Sequence, residues 1–328
     1  NSLRKYRVEK YSSIRYDLWN KVVANAKNAT FLFHRDFMEY HQDRFEDYSL
    51  LAFDDSHELI AVLPANRVGE ILFSHQGLTY GGIVIHEKTK LSDFISIAKS
   101  VFEYLNTQQF QKIIFKEIPT IYNQIPSDEL QYLMFLMQGN LVRRDVLSVV
   151  DLKTNFSFSR DRKNGIKRGI KNDLVVKEEP NFELFWNEIL IPNLEVKHQA
   201  KPVHSLEEIQ LLFSKFPKNI RQFNVYQNDK IVAGTTIFET DLVAHSQYIS
   251  GNSDKNELGS LDFLHDYLIS NVFKDKKYFD FGISNENQGK NINEGLLYWK
   301  ESFGARAITQ DFYEVEIKNH TLLDNVLL

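Results

Sequence analysis

Apolar positions along this chain follow two periods in turn, and the same alternation runs through both halves. From Leu91 to Asn106 the residues Phe94, Ile97, Ala98, Val101, Phe102 and Leu105 recur at helical spacing, which predicts an amphipathic helix. Short β-branched and aromatic runs predict strands at Ser49 to Asp54, Leu59 to Arg67, Glu70 to Ser74, Gly82 to His86, Lys112 to Lys116 and Asp145 to Leu152. The tetrapeptide Asp55-Ser56-His57-Glu58 reads as a hairpin turn between the first two. Further helices are expected at Tyr16 to Ala26, at Asp36 to Arg44 and near Glu129.

After Leu152 the order begins again. Helical spacing is expected through the basic segment Ser159 to Lys171, then at Phe182 to Glu195 and Leu206 to Phe216. Strands at Gln222 to Gln227 and Lys230 to Glu239 flank an Asn228-Asp229 turn, and a third strand at Val243 to Ser250 leads into a polar loop. Leu261, Leu264, Leu268, Val272 and Phe273 then form one helical stripe, followed by a strand at Tyr278 to Ile283, a helix at Asn293 to Phe303 and a strand at Ala307 to Ile317. Two domains are therefore expected, residues 1–155 and 156–328, each an α/β (α+β) unit with a mixed, mostly antiparallel sheet flanked by helices.

Composition narrows the chemistry. The chain of 328 residues has no Cys, so thiolate nucleophiles, disulfides and thiolate metal sites are excluded. No apolar run approaches the length of a membrane span and the first residues lack a secretory signal, so a cytoplasmic protein is expected. A net charge of -5 opposes a surface devoted to DNA, although the segment Arg160 to Lys171 holds six basic residues against one acidic. Helical spacing places Arg160, Lys163, Lys167 and Lys171 on one face of it, with Ile166 and Ile170 on the other. That face suits a phosphate-rich ligand or plain solvent. No HExxH pair, Walker loop or GxSxG elbow occurs, and metal catalysis is not expected.

Several residues suit acid–base and binding work. His204 follows Pro202 on a loop, where an imidazole can exchange protons near neutrality, while Ser205 and Glu208 read as a helix capping box. On the strand at Val243 to Ser250, strict alternation places His245 with Gln247 on one face and Ser246 with Tyr248 on the other. Gly77, Gly81 and Gly82 around Tyr80 permit close backbone approach, so Tyr80 and Gly81 are candidate substrate contacts. Gln247, and Asn285 at the start of the polar loop after the strand that carries Asp280, are two more.

The element order, together with Lys201-Pro-Val-His-Ser205, His245-Ser-Gln-Tyr248, Phe279-Asp-Phe-Gly-Ile-Ser284, Leu297-Tyr-Trp-Lys-Glu-Ser-Phe-Gly304 and Ser74-His-Gln-Gly-Leu-Thr-Tyr-Gly-Gly82, resembles the FemAB-like branch of the GNAT acyltransferases. The resemblance covers about residues 30 to 317 and implies two tandem GNAT-like domains. It further implies attack of an amine on an activated acyl group, from an acyl-CoA or from an aminoacyl-tRNA, with a glycan or peptide precursor of the cell wall or a surface polysaccharide as acceptor. By the same resemblance Lys300 lies by the reacting ester, the first domain holds the acceptor and the second is catalytic. His204, His245 and Tyr248 join Lys300 as catalytic candidates.

The donor expectation rests on Asn256-Glu-Leu-Gly259-Ser-Leu261, which stands where GNAT proteins hold the CoA pyrophosphate on backbone amides at a helix start. Asn256, Gly259 and Ser260 are the expected contacts. Asn replaces the usual Arg or Gln, Leu261 replaces the last small residue, and Glu257 adds an opposing charge, so a diphosphate is held less firmly there. Acyl-CoA is the expected donor. Aminoacyl transfer from tRNA is the alternative, and a non-catalytic module binding a glycan or nucleotide sugar is a third reading.

Overall fold

A computed structural model describes residues 3–328. Contacts divide the chain into two units, one running to Asp145 and including Thr309–Leu328, the other Val146–Ile308. The division differs from a single cut at residue 155, because the last strand does not stay with its sequence neighbours. Phe312 to Glu316 pair antiparallel with Lys112–Lys116 of the first unit, and Val315, Ile317 and Leu323 are buried in that unit's core.

In the first unit the strands Arg7–Lys10, Leu50–Phe53, Leu59–Leu63 and Val84–Ile85 form one antiparallel sheet. Ile71–Ser74 runs parallel to Lys112–Lys116 and antiparallel to Asn66–Val68. The expected strand from Leu59 to Arg67 is two strands, since Pro64 between Leu63 and Ala65 has no amide to donate to a ladder. The helix Leu91–Thr107 buries Phe94, Ile97, Ala98, Val101, Phe102 and Leu105, as its spacing predicts.

The second unit's sheet runs Val175–Glu178, Ile220–Gln227, Lys230–Glu239, Val243–Gly251 and Tyr278–Ile283, and Tyr278 to Ile283 pair in turn with Leu147 to Asp151. Every pairing is antiparallel except that of Val243–Gly251 with Tyr278–Ile283. The edge strand Val175–Glu178 was not legible, being half charged and mostly exposed. Leu264, Leu268, Ile269, Phe273, Phe279, Phe281 and Phe303 fill the core. The helix expected at Phe182 to Glu195 has an α-turn at Phe182–Phe185, a π-turn at Trp186–Leu190 and an α-helix at Ile191–His198. Pro192 supplies the reason: it lacks the N–H that would bond the carbonyl of Glu188, and the wider turn before it absorbs the ring.

Candidate functional site

The parallel pairing of Val243–Gly251 with Tyr278–Ile283 covers Val243↔Tyr278, Ala244↔Phe279 and His245↔Asp280, and stops. Beyond that point the two strands run on unpaired with each other and leave a notch in the sheet. His245 and Asp280 form its apex. His245 Nδ1 lies 3.1 Å from the carbonyl oxygen of Asp280 and 3.3 Å from its Oδ2, and His245 Nε2 lies 3.1 Å from Oε1 of Gln247. Burial pulls the imidazole pKa down, but the Asp280 carboxylate and the hydrogen bonds from Asp280 and Gln247 outweigh it, and the net shift is upward.

Strict alternation along Val243–Gly251 is broken by a bulge. Thr236 pairs with Tyr248 and Ile237 with Ser246, so Gln247 is the extra residue. In an antiparallel ladder, paired residues share a face. Tyr248 therefore turns to the face of Thr236, Phe238 and His245, while Ser246 turns away to Thr235 and His265. The expectation that Ser246 and Tyr248 share a face is corrected by this one extra residue, which gathers His245, Gln247 and Tyr248 on one side.

His204 meets them there. Its backbone amide donates to the Tyr248 hydroxyl at 3.1 Å, and the same hydroxyl lies 2.6 Å from His204 Nδ1, so the phenol donates to the imidazole. Trp186 fixes this pair, its indole N–H donating to the carbonyl of His204 and its ring lying edge-on to Tyr248. The capping box of Ser205 and Glu208 is present and holds the end of the loop. The capping box read from the sequence is therefore present beside His204.

Lys300 lies in the helix Glu294–Glu301, yet it is 3% exposed. Its ammonium donates to the carbonyl of Ile283 at 2.6 Å, on the far wall of the notch. Burial lowers its pKa to about 8, and the field of Asp280 works against the drop. Ser284, the next residue, has a buried hydroxyl without a hydrogen-bond partner.

The expected pyrophosphate corner is differently built. Gly259 has φ +65 and opens the helix Ser260–Tyr267, but the helix Arg160–Lys171 covers it: a Cβ on Gly259 would stand 2.1 Å from the carbonyl oxygen of Gly165. Ser260 is fully buried with an unpartnered hydroxyl, and Asn256 is exposed, its carbonyl accepting from Nε of Arg168 at 3.1 Å. The inward face of Arg160–Lys171 is Arg162, Gly165 and Gly169 rather than Ile166 and Ile170, and Ile170 is exposed. Arg162 bonds Asp262 at 2.6 Å and Ser302 at 2.8 Å, and Trp299 also donates to Asp262. Arg160, Lys163, Lys167, Arg168 and Lys171 remain exposed.

Other candidates are structurally engaged. Asn285 Oδ1 accepts from the amide of Val146 at 2.8 Å and so ties two strands. Tyr80 is buried, its hydroxyl 2.6 Å from that of Thr30 and its ring against Phe33 and Tyr122. Gly81 packs on the backbone of Ser74, where a Cβ would find 2.2 Å, and its amide donates to Lys116. These two are core and turn residues in this structure. Among the described residues no group of three or more His, Asp or Glu side chains could hold a metal ion, and no helix is long and apolar enough to cross a membrane.

No family model matches the sequence, and no curated protein matches it. Solved structures do. A structure described as FemX is similar at TM-score 0.66 and 9% identity, covering 93% of this chain and 96% of that one. The C-terminal domain of a putative lysylphosphatidylglycerol synthetase from Agrobacterium fabrum gives 0.60 at 12% identity, over 92% and 91% of the two chains. L-PGS from Bacillus licheniformis gives 0.57 at 13%, over 97% and 98%. At such identities the likeness is one of fold, and the chain shares the fold of these structures.

Proposed function

We propose that this protein is an acyltransferase that moves an activated acyl group to an amine of a glycan or peptide precursor, with the chemistry at the notch of the second unit. The observation that carries the reading is Lys300. A buried ammonium costs several kcal/mol unless something offsets it, and here its only direct partner among the hydrogen bonds described is one backbone carbonyl. An ammonium has three donors. The remaining ones suit the oxyanion that forms when the amine attacks the acyl carbon.

In this reading the C–N bond forms as the amine adds, and the bond from the acyl carbon to the donor's oxygen or sulfur then breaks. The amine's proton passes to the Tyr248–His204 pair, where a phenol already bonded to an imidazole can accept and hand on a proton. The leaving oxygen or sulfur takes a proton in turn. Near neutrality Lys300 is still largely protonated, as an oxyanion partner must be.

Gly259 bears on the donor. A CoA diphosphate needs the backbone amides of that corner, and the Gly165 carbonyl and the body of Arg160–Lys171 cover it. This favours an aminoacyl ester of tRNA over acyl-CoA, and the exposed basic side of the same helix suits a phosphate backbone. Purified protein given either acetyl-CoA or aminoacyl-tRNA, with a nucleotide-linked glycopeptide as acceptor and mass spectrometry as readout, tests both donors. Product from aminoacyl-tRNA alone, lost in Lys300→Met, is expected. Product from acetyl-CoA, with tight CoA binding by calorimetry, overturns the donor assignment. Glycopeptide or nucleotide-sugar binding without product from either donor makes the chain a binding module.

A further inference from the structure

The notch contains a second buried charge whose task the reaction above does not state. Asp280 is 1% exposed and sits between Phe279 and Phe281, which point to the opposite, aromatic face with His265. Its Oδ1 accepts from the amide of Gly282 at 2.7 Å. Its Oδ2 lies 3.3 Å from His245 Nδ1, and its backbone carbonyl 3.1 Å from the same atom. Gly282, with φ +79, bends the strand at this point, and a Cβ there would stand 3.3 Å from Cε1 of His245. One carboxylate therefore holds the imidazole on one strand and the bend on the other.

We infer that Asp280 is the positioning residue of the notch: it clamps His245 and the Gly282 bend together, which aims His245 Nε2 at Gln247 and sets the Ile283 carbonyl where Lys300 grips it. The inference rests on the proposed acyl transfer and deepens it. His245 Nδ1 faces the Asp280 carboxylate and backbone carbonyl, and Nε2 faces Gln247 Oε1. Asp280 is the charged group beside the imidazole, and its field also supports the Lys300 ammonium. Asp280 acts through His245, Gly282 and Lys300.

Imidazole nitrogen spectra of labelled protein, followed across the histidine titration in the wild type and in Asp280→Asn, test this directly. The His245 midpoint is expected to fall by about one pH unit or more when the carboxylate is neutralised. In Asp280→Ala the Gly282 amide should exchange with solvent about tenfold faster. Where donor and acceptor are in hand, Asp280→Asn should lower kcat with little change in KM. A His245 midpoint unmoved by Asp280→Asn, or an unchanged Gly282 exchange rate, overturns the clamp. Should both Asp280 variants fail to fold, Gln247→Ala keeps the question open to refutation: the Nδ1 contact survives, so the midpoint should stay high, and a return to the ordinary histidine value overturns the inference. Wild-type protein inactive with every donor sinks the proposed reaction, and the clamp is then judged on titration and exchange alone.

Discussion

Gly165 and Gly259 meet with no room for a side chain between them, since a Cβ on Gly259 would stand 2.1 Å from the Gly165 carbonyl oxygen and one on Gly165 would stand 1.7 Å from Oδ2 of Asp262. Helix propensity alone says that Gly165→Ala gains about 1 kcal/mol. The packing says the reverse. A methyl at 165 pushes Asp262 off Arg162 and Trp299, and overpacking of this kind costs about 1–3 kcal/mol. Thermal or urea melts should show Gly165→Ala less stable than the parent, and Gly259→Ala less stable again because its φ of +65 is strained for any side chain. A stabilised Gly165→Ala would mean that the two helices are not in contact.

Lys300 gives a pH signature. Its pKa is about 8 in the folded chain and 10.5 otherwise, so below pH 8 both states hold the proton and the folded state carries the whole cost of the buried charge. Between about 8 and 10.5 the folded state has released its proton and the unfolded state has not, so this group's contribution to stability rises with pH. Lys300→Met removes the effect. The stability of the parent relative to Lys300→Met should therefore improve as pH rises through that window, while the variant loses turnover by roughly a hundredfold. A difference that does not vary with pH would place the ammonium in solvent.

Tyr248→Phe deletes a hydroxyl that accepts from the His204 amide and donates to the His204 ring. Turnover should fall by about a hundredfold, the lower end for a lost general acid or base. Circular dichroism should be unchanged, because Trp186 still holds the His204 carbonyl. Full activity in Tyr248→Phe would remove the pair from the proton path.

The exposed side of Arg160–Lys171 can be tested by salt. If it contacts the phosphate backbone of tRNA, Lys163→Glu should weaken binding and reduce the slope of log affinity against log salt by about one. The same variant should leave thermal stability nearly unchanged, since Lys163 is exposed and the packing side is Arg162, Gly165 and Gly169. An unaltered slope returns the face to solvent.

Most of the fold was legible because its signals are local. The stripe of Phe94, Ile97, Val101 and Leu105 is buried as its spacing predicts, and the turn at Asn228-Asp229 joins the two strands it was expected to join, both residues taking positive φ. What could not be read is set by partners far away in sequence. Gly165 and Gly169 look like weak points in a solvated helix until Asp262 and Phe263 occupy the space they leave. The helical spacing around Lys300 gives no sign of its burial, which the Ile283 carbonyl far away in sequence makes possible. The bulge at Gln247 had a cost of one residue and no sequence mark, yet it decides which face Tyr248 takes.

The return of Thr309–Leu328 to the first unit also fixes an order of events at the ribosome. Val315, Ile317 and Leu323 belong to a core otherwise made by residues before Asp145, so that core stays incomplete until those residues have emerged. Val146–Ile308, by contrast, is one uninterrupted stretch. The usual sequence, in which an N-terminal domain matures first during synthesis, is thereby inverted. The notch should be assembled while Lys112–Lys116 still presents a bare edge, and that edge, with its Ile113 and Phe115, is where a stalled or truncated chain would seek a foreign strand.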